Sequence, residues 1–163
     1  FSEAIEVTEK AVGLLPSLPP RPGSDNQRIA PGFCRRVLAE ARLGNDEPGI
    51  ALEVAEAGAA SLREAFDTRP HHVAEHYVQS LAMLARCHRA LGDDPAATQA
   101  LAEGITGVTP LFKKRPRALQ REMLRLIEPL EAIGPEAAAL HVTEDVRTEL
   151  AKLPELPRGA AGL

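Results

Sequence analysis

His71, His72, Glu75 and His76 form the densest group of ligand-type side chains in the chain. His72 and His76 stand four apart, so on a helix both imidazoles share one face and could hold a metal from one side. A closed site needs further donors, and no other His or Cys shares that stretch. The HExxH arrangement is absent too. The cluster therefore reads as the polar first turn of a helix that starts after Pro70, with no metal and no cofactor expected. Cys34 and Cys87 are the only cysteines. A reactive thiol needs an electropositive, partly exposed setting. Arg86 precedes Cys87, but adjacent helix residues face different ways, so both cysteines read as small buried hydrophobes. Lys113, Lys114, Arg115, Arg117, Arg121 and Arg125 make the strongest charge run. Such a run could meet phosphates or an acidic protein. Only Phe112 is at hand to stack a base, which argues against nucleic acid. No glycine-rich phosphate loop, no GxSxG and no paired-carboxylate signature is present. No catalytic residue is assigned, and the chain is expected not to be an enzyme.

The elements around these residues repeat. Ala4–Ala11 reads AIEVTEKA and Ala51–Gly58 reads ALEVAEAG, 47 residues further on. A less regular third copy, DDPAATQALAEGITGV, runs from Asp93 to Val108. A period of this size means stacked supersecondary units that present a surface. The pairs Leu43-Gly44, Leu91-Gly92 and Ile133-Gly134 mark helix ends, and Pro48, Pro95 and Pro135 follow within four residues. Glycine after a helix and proline at the start of the next is the expected punctuation. Tyr77, Leu81, Leu84, His88 and Leu91 keep the helical period, as do Ala97, Leu101, Gly104, Val108 and Leu111. Helices are predicted near 2–15, 27–43, 48–67, 71–91, 94–112, 116–133 and 135–152. Pro129 predicts a kink or early break near Arg125–Glu128. Leu15–Ser24 reads as a Pro-rich loop, and residues 153–163 as a flexible tail after a 1–152 repeat domain.

At 163 residues the chain suits one domain. Aromatics make up 3% and Trp is absent, so the core must be Ala and Leu at close range. The net charge of −4 does not draw nucleic acid to the chain as a whole. Two cysteines are no disulfide framework, which points to a reduced, cytoplasmic setting. No apolar run approaches the ~18–20 residues of a membrane span. The chain opens inside an amphipathic pattern without Met, and is read as part of a longer protein. On that reading Ile5, Val12 and Leu15 lack a partner helix and favour self-association.

Small residues at the helix crossings give the chain its resemblance. Ala4 and Ala11, Ala51 and Gly58, and Ala97 and Gly104 resemble the contact positions of the tetratricopeptide repeat, and Leu84, Ala85 and His88 resemble its first-helix positions. The likeness covers most of residues 1–152. The style of LPSLPPRPGSDNQR and ALEVAEAGAASLREAFDTR is also similar to repeat regions of large actinobacterial proteins that carry a STAND-type NTPase or a caspase-like CHAT domain. The resemblance implies an all-α, right-handed solenoid of antiparallel helical hairpins, with about seven helices.

In such a solenoid the first helices of successive units line the concave face. Gln79, Arg86, Arg89 and Arg121 are the binding candidates on that face, for a protein or an acidic peptide. The competing reading pairs Glu75 with Arg117, Arg86 with Glu128 and Arg89 with Glu131 between neighbouring helices, each pair worth about 0–1 kcal/mol. The expected function is a non-catalytic protein–protein interaction module. The alternative is a regulatory segment that folds back on an NTPase or caspase-like domain of the same polypeptide.

Overall fold

The computed structural model describes residues 2–14 and 26–156. Among them every regular element is a helix: α1 Ser2–Leu14, α2 Asn26–Gly44, α3 Pro48–Thr68, α4 Pro70–Ala90, α5 Asp94–Lys114, α6 Pro116–Ile133, α7 Pro135–His141 and α8 Glu144–Ala151. The Leu15–Ser24 loop and the tail beyond residue 156 lie outside the described residues. The start of the expected tail is anchored: Leu153 packs on the core, and Gln120 Nε2 donates to the Pro154 carbonyl at 2.8 Å.

The turns follow from local sequence. After α4, Gly92 takes φ +77°, a left-handed conformation that glycine enters without cost. This lets the Asp93 N–H reach the His88 carbonyl at 2.9 Å. Asp93 Oδ1 then accepts from the Ala96 N–H at 3.0 Å and caps α5. After α2 the left-handed residue is Asp46, two positions past Gly44. Arg42 ties that turn down, donating to Glu47 at 2.6 Å and also to Glu9 of α1. Two of the other described junctions are shorter. A single residue, Arg69, joins α3 to α4, and Arg115 joins α5 to α6. Both precede a proline and sit at φ near −140°, away from the helical region a following proline disfavours.

Two expectations are corrected. The helix predicted over 135–152 is two helices, because Val142 and Thr143 are extended. Val-Thr-Glu-Asp combines β-branched residues with a Thr-plus-acid start signal, so the chain stops and restarts there. Of the kink or early break expected near Arg125–Glu128 from Pro129, the break does not occur. The helix runs on to Ile133. A proline inside a helix costs ~3 kcal/mol or more. Leu126, Ile127 and Leu130 are all buried around it, and each full apolar burial returns ~1.5–3 kcal/mol. Packing therefore holds the helix across the missing hydrogen bond.

Each helix from α1 to α6 packs on the next in the chain, and α8 packs on α5 and α6. One layer is also continuous: α2 touches α4, and α4 touches α6. On the other side α3 and α5 make no contact of that extent. The core is mostly aliphatic, with Leu62, Leu81, Leu101, Ile105, Met123, Leu126 and Leu130 almost wholly enclosed. Small residues set how close the helices come. Ala51 and Ala97 have no exposure, and Gly58 and Gly104 are buried. A Cβ on Gly58 would stand 3.1 Å from Arg35 Cβ, and one on Gly104 would stand 2.9 Å from both Leu126 methyls. Gly32 approaches closest, where a Cβ would lie 2.3 Å from Leu62 Cγ. Ala59 also belongs to this core.

The N-terminal helix is not partnerless. Ile5 is buried with Leu38 and Ala41 of α2, and Val12 packs against them. The exposed apolar side chains of α1 are Val7 and Leu14, and Leu15 lies outside the described residues.

Candidate functional site

The continuous α2–α4–α6 layer carries the sequence-predicted residues. Gln79, Arg86 and Arg89 lie on α4 and Arg121 on α6. Gln79 is half-buried and the three arginines are exposed. Their partners are not the expected ones. Arg86 donates to Glu40 of α2 at 3.1 Å, reaching back to the preceding unit instead of forward to Glu128. Arg89 lies 3.8 Å from Asp94 at the start of α5, and Glu131 pairs with Arg147 of α8 at 3.1 Å. Glu75 accepts from Gln79 Nε2 at 3.0 Å. The register of the two helices places residues side by side along their axes. It does not say toward which flank a long side chain leans.

The structure adds α2 residues that the sequence reading passed over. Phe33, Arg36 and Glu40 form one stripe of α2. Phe33 is 42% exposed. The Arg36 guanidinium sits 5.2 Å from its ring centroid, and the His76 ring meets it edge-on at 6.0 Å. Arg36 also lies 3.6 Å from Glu40. Burial lowers the Arg36 pKa, Glu40 opposes that, and Arg125 and Arg86 lower it further. Guanidiniums from α2, α4 and α6 thus crowd the same surface. The 3–4 spacing of Phe33, Arg36 and Glu40 was the signal that could have revealed this stripe.

The other candidates resolve simply. His76 turns to Phe33, while His71, His72 and Glu75 are exposed. Among the described residues no three His, Cys, Asp or Glu side chains converge to hold a metal ion. Both cysteines are free. Cys87 is fully buried, and burial pushes its thiol up to about 11, well away from a reactive thiolate. Of the basic run, Lys113 meets Asp145 at 3.1 Å, Arg125 is half-buried, and the others are exposed. No described helix is long and apolar enough to cross a membrane.

On the opposite side, α3 and α5 enclose an open groove of about 770 Å³. Phe66 and Tyr77 stack on its floor, with ring centroids 4.6 Å apart. Tyr77 donates its hydroxyl to Glu103, and Arg63 reaches Glu103 across the groove. Burial first, and then the Glu103 carboxylate, raise the Tyr77 phenol far above its ordinary value.

Comparison with family models, curated proteins and solved structures finds no match for this chain.

Proposed function

We infer that this chain is a non-catalytic interaction module that receives a segment of a partner protein on the α2–α4–α6 face. One observation carries the reading. The layer that closes from unit to unit also bears an exposed aromatic, Phe33, beside guanidiniums from three helices. Aromatic and arginine side chains are the types enriched where proteins bind proteins. Exposed Arg86, Arg89 and Arg121 favour an acidic segment. The repeat of small residues and the likeness to tetratricopeptide repeats support a solenoid whose concave side is this face. Two free thiols suit a cytoplasmic setting.

A random peptide library displayed on phage, selected on the wild-type chain, tests the reading. Clones are then scored against a variant carrying Gln79→Ala, Arg86→Glu and Arg121→Glu, with folding checked by circular dichroism. Enriched acidic peptides should lose binding to the folded variant. Peptides that bind both proteins equally, or no enrichment at all, would overturn it.

A further inference from the structure

Phe33 touches two side chains that each hold an enclosed polar atom. The Arg36 guanidinium lies 5.2 Å from its ring centroid, and the His76 ring meets it edge-on. Arg36 Nε and His76 Nδ1 are both buried, and neither has a hydrogen-bond partner among the described residues. The same holds for Ser80 Oγ, on a residue only 1% exposed.

The three belong to one place. His76, Ser80, Met83 and Cys87 follow one another along α4 at steps of four, three and four, so they share a face. That face meets Phe33 of α2 at His76, and it clusters with Ala39 of α2 at Met83 and Cys87. Ser80 lies between these contacts on α4, as Arg36 lies between Phe33 and Ala39 on α2. The two are therefore level with each other across the α2–α4 crossing.

A buried donor without an acceptor is costly and calls for a partner. Arg36 Nε–H is a donor, a serine hydroxyl can donate, and Nδ1 donates in one imidazole tautomer. The set suits an acceptor, and the charges say which kind. Glu40 serves Arg86 at 3.1 Å and Arg36 at 3.6 Å, the second too long for a hydrogen bond. One carboxylate is thus shared by two guanidiniums. Burial is the largest influence on Arg36 and lowers its pKa; Arg125 and Arg86 add to that, against Glu40 and Glu75. A second carboxylate would answer both the charge and the donors. Phe33 is the neighbour with room to admit one. It is 42% exposed, and a cation–ring contact at an exposed site is weak.

We propose that an aspartate or glutamate of the bound segment is anchored between α2 and α4, where Phe33 turns aside and the carboxylate pairs with Arg36 through Nε, with His76 and Ser80 as further donors. The proposal rests on the interaction reading above and deepens it. Exposed Arg86, Arg89 and Arg121 attract an acidic segment, and the groups beneath Phe33 select one carboxylate within it.

N-acetylglutamate amide is the probe, titrated into the 15N-labelled chain and followed at the Arg36 Nε–H signal, which is assigned by its loss in Arg36→Lys. N-acetylglutamine amide and inorganic phosphate are the comparators. The capped glutamate should move that signal and saturate; the capped glutamine should not. Arg36→Lys keeps the charge and removes Nε, so binding followed at the backbone amides near 33, 76 and 80 should weaken about tenfold or more. Ser80→Ala should weaken it about threefold. Phe33→Ala should strengthen it, because the cover is gone. Circular dichroism checks the folding of each variant. An equal response to capped glutamine would show a slot that any acceptor fills, water included, and would overturn the proposal. So would saturation by phosphate in place of the glutamate, unchanged binding in Arg36→Lys, or lost binding in Phe33→Ala. Phage-selected acidic peptides that bind the face and ignore Arg36→Lys would sink the anchor and leave the wider reading standing. Absence of any selected peptide would sink the wider reading, and the capped-glutamate titration would then decide the anchor by itself.

Discussion

Replacing Gly32 with Ala should separate helix propensity from helix packing. Any Gly→Ala change within a helix gains up to ~1 kcal/mol from propensity. At Gly49, in the first turn of α3, an added Cβ meets nothing within 4 Å, so that gain should stand undiminished or nearly so. At Gly32 the Cβ would lie 2.3 Å from Leu62 Cγ and 2.6 Å from Leu62 Cδ1. Leu62 has no exposure and so no free space to swing into. Overpacking of this kind costs ~1–3 kcal/mol. The net change at Gly32 is then a loss of ~0–2 kcal/mol, and the two variants should differ by ~1–3 kcal/mol. Urea unfolding measures this as a shift in midpoint at constant slope. The clash also predicts coupling. Leu62→Ala alone should cost ~2–5 kcal/mol, and the double variant should cost less than the sum, because each change relieves the other. Equal stabilisation by Gly32→Ala and Gly49→Ala, or strict additivity with Leu62→Ala, would refute the α2–α3 crossing described here.

Tyr77 is the only tyrosine, so its ionisation can be followed by absorbance without interference. Its raised pKa means that the neutral phenol is favoured in the fold. The associated stability should be complete below the ordinary value of 10.0 and fall as pH rises beyond it; Tyr77→Phe should abolish that fall and cost ~0.5–1.5 kcal/mol at neutral pH, and a wild-type phenol titrating near pH 10 would contradict it. Arg86→Glu should cost ~0–1 kcal/mol, partly restored by Glu40→Arg and not by Glu128→Arg in thermal melts. The restoration is partial because Glu40 also lies against Arg36; recovery through Glu128 would instead support pairing with α6.

The helices were legible because their ends are written in glycine and proline. Leu43-Gly44, Leu91-Gly92 and Ile133-Gly134 fall within two residues of observed helix ends. Of the small crossing residues, Ala51, Gly58, Ala97 and Gly104 are buried and Ala11 is half-buried, while the Ala4 side chain lies outside those described. Ala59 is enclosed as well. In a helix packed on two sides the apolar stripe is wide, so one sequence stripe does not identify the exposed positions. The break at Val142-Thr143 was missed because apolar period outweighed capping chemistry in the reading. Gln79, Arg86, Arg89 and Arg121 do lie on the adjoining helices α4 and α6, but their neighbours differ from the expected ones. Which flank an arginine leans toward depends on packing that a single helix does not encode. Glu122 was invisible for a related reason: a glutamate in a helix reads as solvated, and only the packing of its neighbours leaves it 7% exposed.

Most of the contacts join helices that are next, or next but one, along the chain. Damage therefore has a short range. A substitution in the α2–α3 hairpin has almost no physical route to the α6–α7 end except through α4 and α5. Effects at the two ends should add, as they do for sites without shared partners. Local connectivity of this kind also keeps loop closure short during folding among the described residues, because α1 meets α2 and α8 meets α5 and α6. The order of units along the chain is in this sense also the order in which stability is shared. Each helix lends its neighbours a buried face, so the effect of a change in one described helix should fade with distance along the chain.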